Sequence, residues 1–327
     1  MQFTRVPRRR EDPDRDPRIH VSLDHLLRLQ FKASGFSFLP RQPVHSVLSG
    51  KHASRLRGRG LNFEELRAYL PGDDIRSLDW KVTARTRNPH IRVYTEERDR
   101  PVWLLIDQRS SMFFGSRRNM KSVTAAETAA VSAWRVLAQG DRVGAIVFGS
   151  ERVDLVPPHR SQERVMRILK QVVRHNHALP GSTPKADQKH RLNEALAKLM
   201  PLARHDCLVV LITDGFGAND ETSGCLGSLT QHNDVLIGFV YDPLERELPD
   251  AGLLTFAERQ ARIQLDTSKP SLRSDWLADF EDRLHRMREV TRRYSAPLLT
   301  LDTEHDVLEQ VRERLGHHRD KARTRRA

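Results

Sequence analysis

From 102 to 106 the chain reads Val-Trp-Leu-Leu-Ile, and from 208 to 212 Leu-Val-Val-Leu-Ile, with no polar residue in either run. Apolar runs of strand length without alternation predict strands buried on both faces, as in a parallel sheet covered by helices. Residues 235–241 have the same β-branched character, and 90–95 and 297–301 are also strand-like. Between these runs the apolar positions return at the helical period. Val123, Ala126, Ala130, Trp134 and Leu137 predict a helix over 119–139, with Gly140 suited to a left-handed C-terminal cap. Ser161 is placed to cap a helix carrying Val165, Ile168, Leu169, Val172 and Val173, and Leu192, Ala195, Leu196 and Leu199 stripe the next. Residues 142–148 and 152–156 predict a hairpin about Gly149-Ser150, closed by Pro157-Pro158. Further helices are expected around 221–230, over 271–293 and over 305–315.

Upstream of residue 90 the pattern is less regular. Ser22 is a natural cap for a short amphipathic helix bearing Leu23, Leu26, Leu27, Leu29 and Phe31, expected to dock on the body. Residues 46–100 are dense in Arg, Gly and acidic side chains. There Pro71-Gly72 marks a turn, Asp73 or Asp74 is expected to cap a helix running through Trp80 and Val82, and Asn88-Pro89 stops it. The resulting division is a flexible basic arm (1–20), a small N-terminal lobe (21–97), an α/β domain (98–315) and a basic tail (316–327). Alternating strands and helices give the fold class: α/β, a doubly wound and mainly parallel sheet with a small N-terminal lobe. Its binding crevice belongs at the C-terminal ends of the strands.

Composition narrows the class. A chain of 327 residues with 38% hydrophobic side chains and a mean hydropathy of −0.60 has the material for a core and no run long enough to span a bilayer. The N-terminus lacks the apolar centre of a signal peptide, and Cys207 and Cys225 are too few to staple a fold, so the expected location is cytoplasmic. A net charge of +12 raises the prospect of nucleic acid. Much of that excess lies in the tail, and the internal Arg residues alternate with Asp and Glu, which points to non-specific contact through the tail.

In a sheet of this kind, polar residues just past strand ends carry the information. Asp107-Gln108-Arg109-Ser110-Ser111 follows the first buried strand, Gly181-Ser182-Thr183 precedes a helix, and Thr213-Asp214-Gly215 follows another strand. Oxygen side chains converging from three loops are what a hard cation such as Mg²⁺ requires. Asp107-x-x-x-Ser111, Thr183 and Thr213-Asp214-Gly215 resemble the metal-ion-dependent adhesion site of von Willebrand factor A domains, whose first loop reads Asp-x-Ser-x-Ser. Upstream, Ser54-Arg55-Leu56-Arg57-Gly58-Arg59-Gly60, Tyr69-Leu70-Pro71-Gly72-Asp73-Asp74-Ile75-Arg76, Asp79-Trp80 and Thr83-Ala84-Arg85 resemble the signature of the bacterial domain of unknown function 58 family. The resemblance implies a von Willebrand A-like domain behind a family-specific lobe. It also implies a partnership with a MoxR-type AAA+ ATPase, for which the domain acts as an adaptor or presents substrates.

The chain departs from the adhesion-site pattern at Arg109, which stands where the first Ser should be. A guanidinium cannot ligate a cation. Two readings stand: Arg109 supplies the positive charge between Asp107 and Asp214 without metal, or it swings away and Ser110 substitutes as a ligand. The expected cofactor is none, or weakly held Mg²⁺ on Asp107, Ser111, Thr183 and Asp214. Among the upstream residues, Arg55, Arg57, Arg59, Arg76 and Arg85 either form a binding face or pair with Asp73, Asp74 and Asp79 as structural glue.

Enzyme signatures are missing. The stretch from Gly115 to Lys121-Ser122 approaches a phosphate loop, but Met120 stands where the second Gly is needed, and His175 and His177 bracket Asn176 in an expected loop. The sequence therefore reads as a non-enzymatic interaction module. Phe113, Phe114 and Phe216 are its candidate partner-binding residues, with Phe113 or Phe114 equally suited to sealing a helix against the sheet. The alternatives are a divalent-metal-dependent hydrolase or phosphotransferase using Asp107 and Asp214, and a basic nucleic-acid-binding protein.

Overall fold

The computed structural model describes residues 16–33, 61–69, 78–96, 100–179, 190–258, 261–294 and 296–316. In chain order its elements are α1 (Leu23–Lys32), β1 (Leu61–Ala68), α2 (Trp80–Thr86), β2 (His90–Glu96), β3 (Pro101–Gln108), α3 (Lys121–Ala138), β4 (Arg142–Gly149), β5 (Val153–His159), α4 (Gln162–Ala178) and α5 (Arg191–Leu199). They continue with β6 (Leu208–Thr213), α6 (Asp220–Thr230), β7 (Asp234–Tyr241), α7 (Pro243–Arg246), β8 (Leu253–Glu258), β9 (Ala261–Asp266), α8 (Pro270–Tyr294), β10 (Leu298–Asp302) and α9 (Val307–Gly316). The chain forms two units, residues 41–99 and the remainder.

The larger unit is built on a six-stranded sheet of order β10-β7-β6-β3-β4-β5, parallel throughout except for the β4–β5 pair. The apolar run at 102–106 is its central strand, and its side chains divide by parity. Val102, Leu104 and Ile106 enter one core with α1, α3, α4 and α9; Trp103 and Leu105 enter the other with α5, α6 and α8. The sheet is thus covered on both faces, the arrangement its unbroken apolar strands require. On the first face, Ala125, Ala126, Ala129, Ala130 and Ala133 are fully buried along α3, so small side chains bring that helix close to its neighbours. Helix α1, capped by Ser22, packs Leu26 and Leu29 into this same core, and the Trp134 indole donates to the Leu26 carbonyl at 3.1 Å.

Two local expectations are corrected here, and one hairpin is new. Pro157-Pro158 does not close the β4–β5 hairpin, because β5 is an edge strand that runs on to His159. The prolines fall where the register shifts between Val143 and Ala145, and a Cβ on the facing Gly144 would lie 2.7 Å from the Pro158 nitrogen, so this bulge needs glycine. His175 and His177 lie not in a loop but in the last turn of α4, where His175 bonds Asp154 at 2.7 Å and His177 meets the Val21 carbonyl at 2.8 Å. The hairpin β8–β9, for which the sequence reading assigned no strands, lies between α7 and α8.

In the smaller unit β1 and β2 pair antiparallel, with α2 between them in sequence. Helix α2 starts later than expected: its cap is Asp79, whose Oδ1 accepts from the Lys81 and Val82 amides at 3.0 and 3.2 Å. Asp73 and Asp74 lie outside the described residues, as do Arg55, Arg57, Arg59 and Arg76. No described helix is long and apolar enough to cross a membrane.

Candidate functional site: a strand-end crevice filled by its own charges

Strands β3 and β6 lie side by side, so the residues just past their ends meet. Asp107, in the last turn of pleat of β3, is fully buried. Its Oδ2 accepts from the Thr213 hydroxyl at 2.7 Å and from Arg109 Nη2 at 2.6 Å, and its Oδ1 accepts from Arg109 Nε at 3.0 Å. The fork of Arg109 thus grips Asp107 in the two-point geometry that favours guanidinium over ammonium. Arg109 is itself wholly buried, with Nη1 donating to the Phe216 carbonyl at 3.0 Å, Nη2 lying 3.8 Å from Asp214 Oδ1 and its guanidinium carbon 5.6 Å from the Phe148 ring centre. Arg109 points inward, between Asp107 and Asp214.

The chain of charges continues. Asp214 Oδ1 accepts from the Phe216 amide at 3.0 Å, a reach made possible by Gly215 at φ +70, where a side chain would be strained. Its Oδ2 accepts from Lys121 Nζ at 2.9 Å. Lys121, buried at the start of α3, also donates to Glu245 Oε1 at 2.8 Å, and Arg283 of α8 donates to that same oxygen at 3.3 Å. Glu245 is held by the capping box of α7, its Oε2 accepting from the Asp242 amide at 2.9 Å. Six charges therefore alternate in sign, Asp107, Arg109, Asp214, Lys121, Glu245 and Arg283, and tie β3, β6, α3, α7 and α8 together.

Burial alone disfavours every one of these charges. For Arg109 the neighbouring Asp107 and Asp214 outweigh it, and for Lys121 the carboxylates of Asp214 and Glu245 do, so both hold their protons above their ordinary values. Burial likewise pushes the Asp214 carboxyl up, but Lys121 and Arg109 pull it far below the usual carboxylate range. Arg109, Lys121 and Asp214 thus favour one another's charged forms.

The adhesion-site resemblance implies a divalent cation on Asp107, Ser111, Thr183 and Asp214, and the two carboxylates of that set already have partners. Asp107 is bonded by Arg109 and Thr213, and Asp214 by Lys121 and the Phe216 amide. Two unit charges about 4 Å apart at an effective dielectric of about 20 repel by about 4 kcal/mol, and a divalent ion doubles that against each resident cation. Ser111 sits on a 3-10 turn with its buried hydroxyl lacking a partner among the described residues, and Thr183 lies outside them. Among the described residues no group of three or more His, Cys, Asp or Glu is placed to hold a metal.

At the rim, Phe216 is 36% exposed, whereas Phe113 and Phe114 are half-buried. The Phe113 ring lies 6.5 Å from the His20 ring, and Phe114 lies 5.9 Å from Lys121 Nζ, across the mouth of the crevice. Sequence reasoning missed Lys121, Glu245 and Arg283. One signal was available: a lysine in the first turn of an otherwise apolar helix sits against the helix dipole unless a carboxylate faces it. The near-match to a phosphate loop has a plain explanation, since the Met120 and Lys121 amides already donate to the Arg18 and Phe114 carbonyls.

The sheet is doubly wound and mainly parallel, with polar residues converging past the ends of its central strands. The chain belongs to the family described as protein of unknown function DUF58, whose model matches residues 65–287. It is 29% identical over 274 residues to the uncharacterized protein Rv1480 of Mycobacterium tuberculosis, covering 83% of this chain and 84% of that one. The uncharacterized protein Mb1516 of Mycobacterium bovis matches with the same 29% identity and coverage of 83% and 84%. Similar solved structures include the conserved hypothetical protein BatB from Bacteroides thetaiotaomicron, 14% identical, covering 69% of this chain and 99% of that one with a TM-score of 0.40. The SpRpn10 VWA domain is 13% identical, with coverage of 66% and 95% and a TM-score of 0.36.

Proposed function

We propose that this chain is a protein-interaction module rather than an enzyme, and that its partner seats on the rim of the strand-end crevice. One observation carries the reading: Asp107 and Asp214, the groups best placed for chemistry, are fully buried and held by Arg109 and Lys121, while Phe216 stands exposed beside them. A general base or nucleophile must reach its substrate, and a carboxylate locked in a buried ion pair does not. An aromatic on a polar rim is the usual form of an interface anchor. The resemblance of the upstream motifs to their family supports a MoxR-type AAA+ ATPase as the partner. Two free thiols, Cys207 and Cys225, accord with a cytoplasmic setting.

Co-purification with the candidate ATPase tests this. Wild type is expected to retain the ATPase and Phe216→Ala to lose at least about tenfold in affinity, the loss of one anchor at about 1.4 kcal/mol or more. Circular dichroism serves as the folding control. Undiminished binding by Phe216→Ala moves the interface off this rim, and no binding by wild type removes the ATPase from the proposal.

A further inference from the structure

Lys121 stands out among the buried groups because the adhesion-site pattern does not call for it. It occupies the first position of α3, is 1% exposed, and lies between two carboxylates contributed by different elements, Asp214 after β6 and Glu245 in α7. Phe114 closes one side at 5.9 Å, and Arg109 lies beyond Asp214 with Nη2 3.8 Å from its Oδ1. A monovalent ammonium, bonded at 2.9 and 2.8 Å to carboxylate oxygens from the loop after β6 and from α7, has the surroundings of a bound cation. What distinguishes it from a bound ion is the tether.

We propose that Lys121 is the resident cation of this crevice: its ammonium bridges Asp214 and Glu245 as a hard cation would, so the arrangement of the elements that carry them does not depend on metal. Two consequences follow. Chelators leave the crevice unchanged in the wild type. Removing the ammonium leaves the Asp214 and Glu245 carboxylates facing one space, with Arg283 3.3 Å from Glu245 Oε1 and Arg109 Nη2 3.8 Å from Asp214 Oδ1, and opens a place that a hard cation with oxygen preference takes. The proposal goes beyond the partner reading and does not need it, because its readouts involve no partner.

The test is thermal unfolding of the full-length chain, followed by circular dichroism, in EDTA, in MnCl₂, and in NaCl of matched ionic strength. The wild-type midpoint is expected to be the same in all three. Lys121→Ala is expected to fall by about 5–10 °C in EDTA and to recover in MnCl₂ but not in NaCl, with the recovery abolished in Lys121→Ala/Glu245→Gln. Should Lys121→Ala fail to fold, Lys121→Met keeps the stem volume, and depletion of the free Mn²⁺ electron paramagnetic resonance signal reports binding directly. A Lys121 variant that neither recovers in nor binds Mn²⁺ overturns the proposal, as does a wild type stabilised by Mn²⁺ to the same extent.

Discussion

Arg109 shows how one side chain redefines a site. At the position where the adhesion-site pattern has serine, a guanidinium fully removed from water grips Asp107 at two points and reaches the Phe216 carbonyl. Such a pair adds little net stability when intact, because desolvating both charges offsets their attraction. Breaking it is another matter. Arg109→Ala leaves Asp107 buried with only the Thr213 hydroxyl and backbone contacts, and is expected to cost about 3–5 kcal/mol, read from urea unfolding at pH 7. Asp214 adds a pH dependence of known sign. Its folded-state pKa is depressed, so the stability it contributes is present above the unfolded value of about 3.9 and is lost as the pH falls below that value. The difference between Arg109→Ala and wild type should therefore shrink below about pH 4. The identity of Arg109 as the departure from the pattern was legible in the sequence. Its continuation through Lys121 to Glu245 and Arg283 was not, because those residues are 93, 124 and 38 positions from the groups they bind.

At the scale of elements, unbroken apolar runs and helical stripes located the central strands and the helices around them, since burial on both faces leaves little room for another pattern. The elements that escaped have identifiable causes. In β1 the apolar positions are Leu61 and Phe63, then Leu66 and Ala68, and the parity changes where a bulge shifts the register between Phe63 and Glu65. A period-two search fails across such an insertion. In α2 the acidic residues at 73 and 74 drew the cap too early, while Asp79 accepts the first-turn amides. Helix α1 carries its own prediction. His25 bonds Glu127 of α3 at 2.7 Å, and this bond raises its pKa despite partial burial. With a raised folded-state value, the stability it gives is present below the unfolded value of about 6.5 and is lost as the pH climbs through the folded one. Amide exchange in α1, compared between wild type and His25→Gln, should show a protection difference at pH 6 that disappears in mildly alkaline buffer. A difference that persists unchanged would show that His25 does not anchor the helix through its charge.

For the whole molecule, a single sheet with helices on both faces places the ends of β3, β6 and β7 side by side and sets the loops that follow them around one crevice. Further fastening comes from Asp242, fully buried after β7, which accepts from the Ser116 amide at 2.9 Å and from the Thr303 hydroxyl. The rim is thereby bonded to the sheet at several points by the chain's own side chains. The account stands or falls on that self-sufficiency, and calorimetric titration of the wild-type chain with MgCl₂ and MnCl₂ measures it most directly. Heats no larger than dilution are predicted for both ions up to about 1 mM, a concentration at which a site of ordinary affinity would saturate. Binding tighter than about 100 µM that vanishes in Asp214→Ala would contradict the account, because the crevice would then hold a metal alongside Arg109 and Lys121.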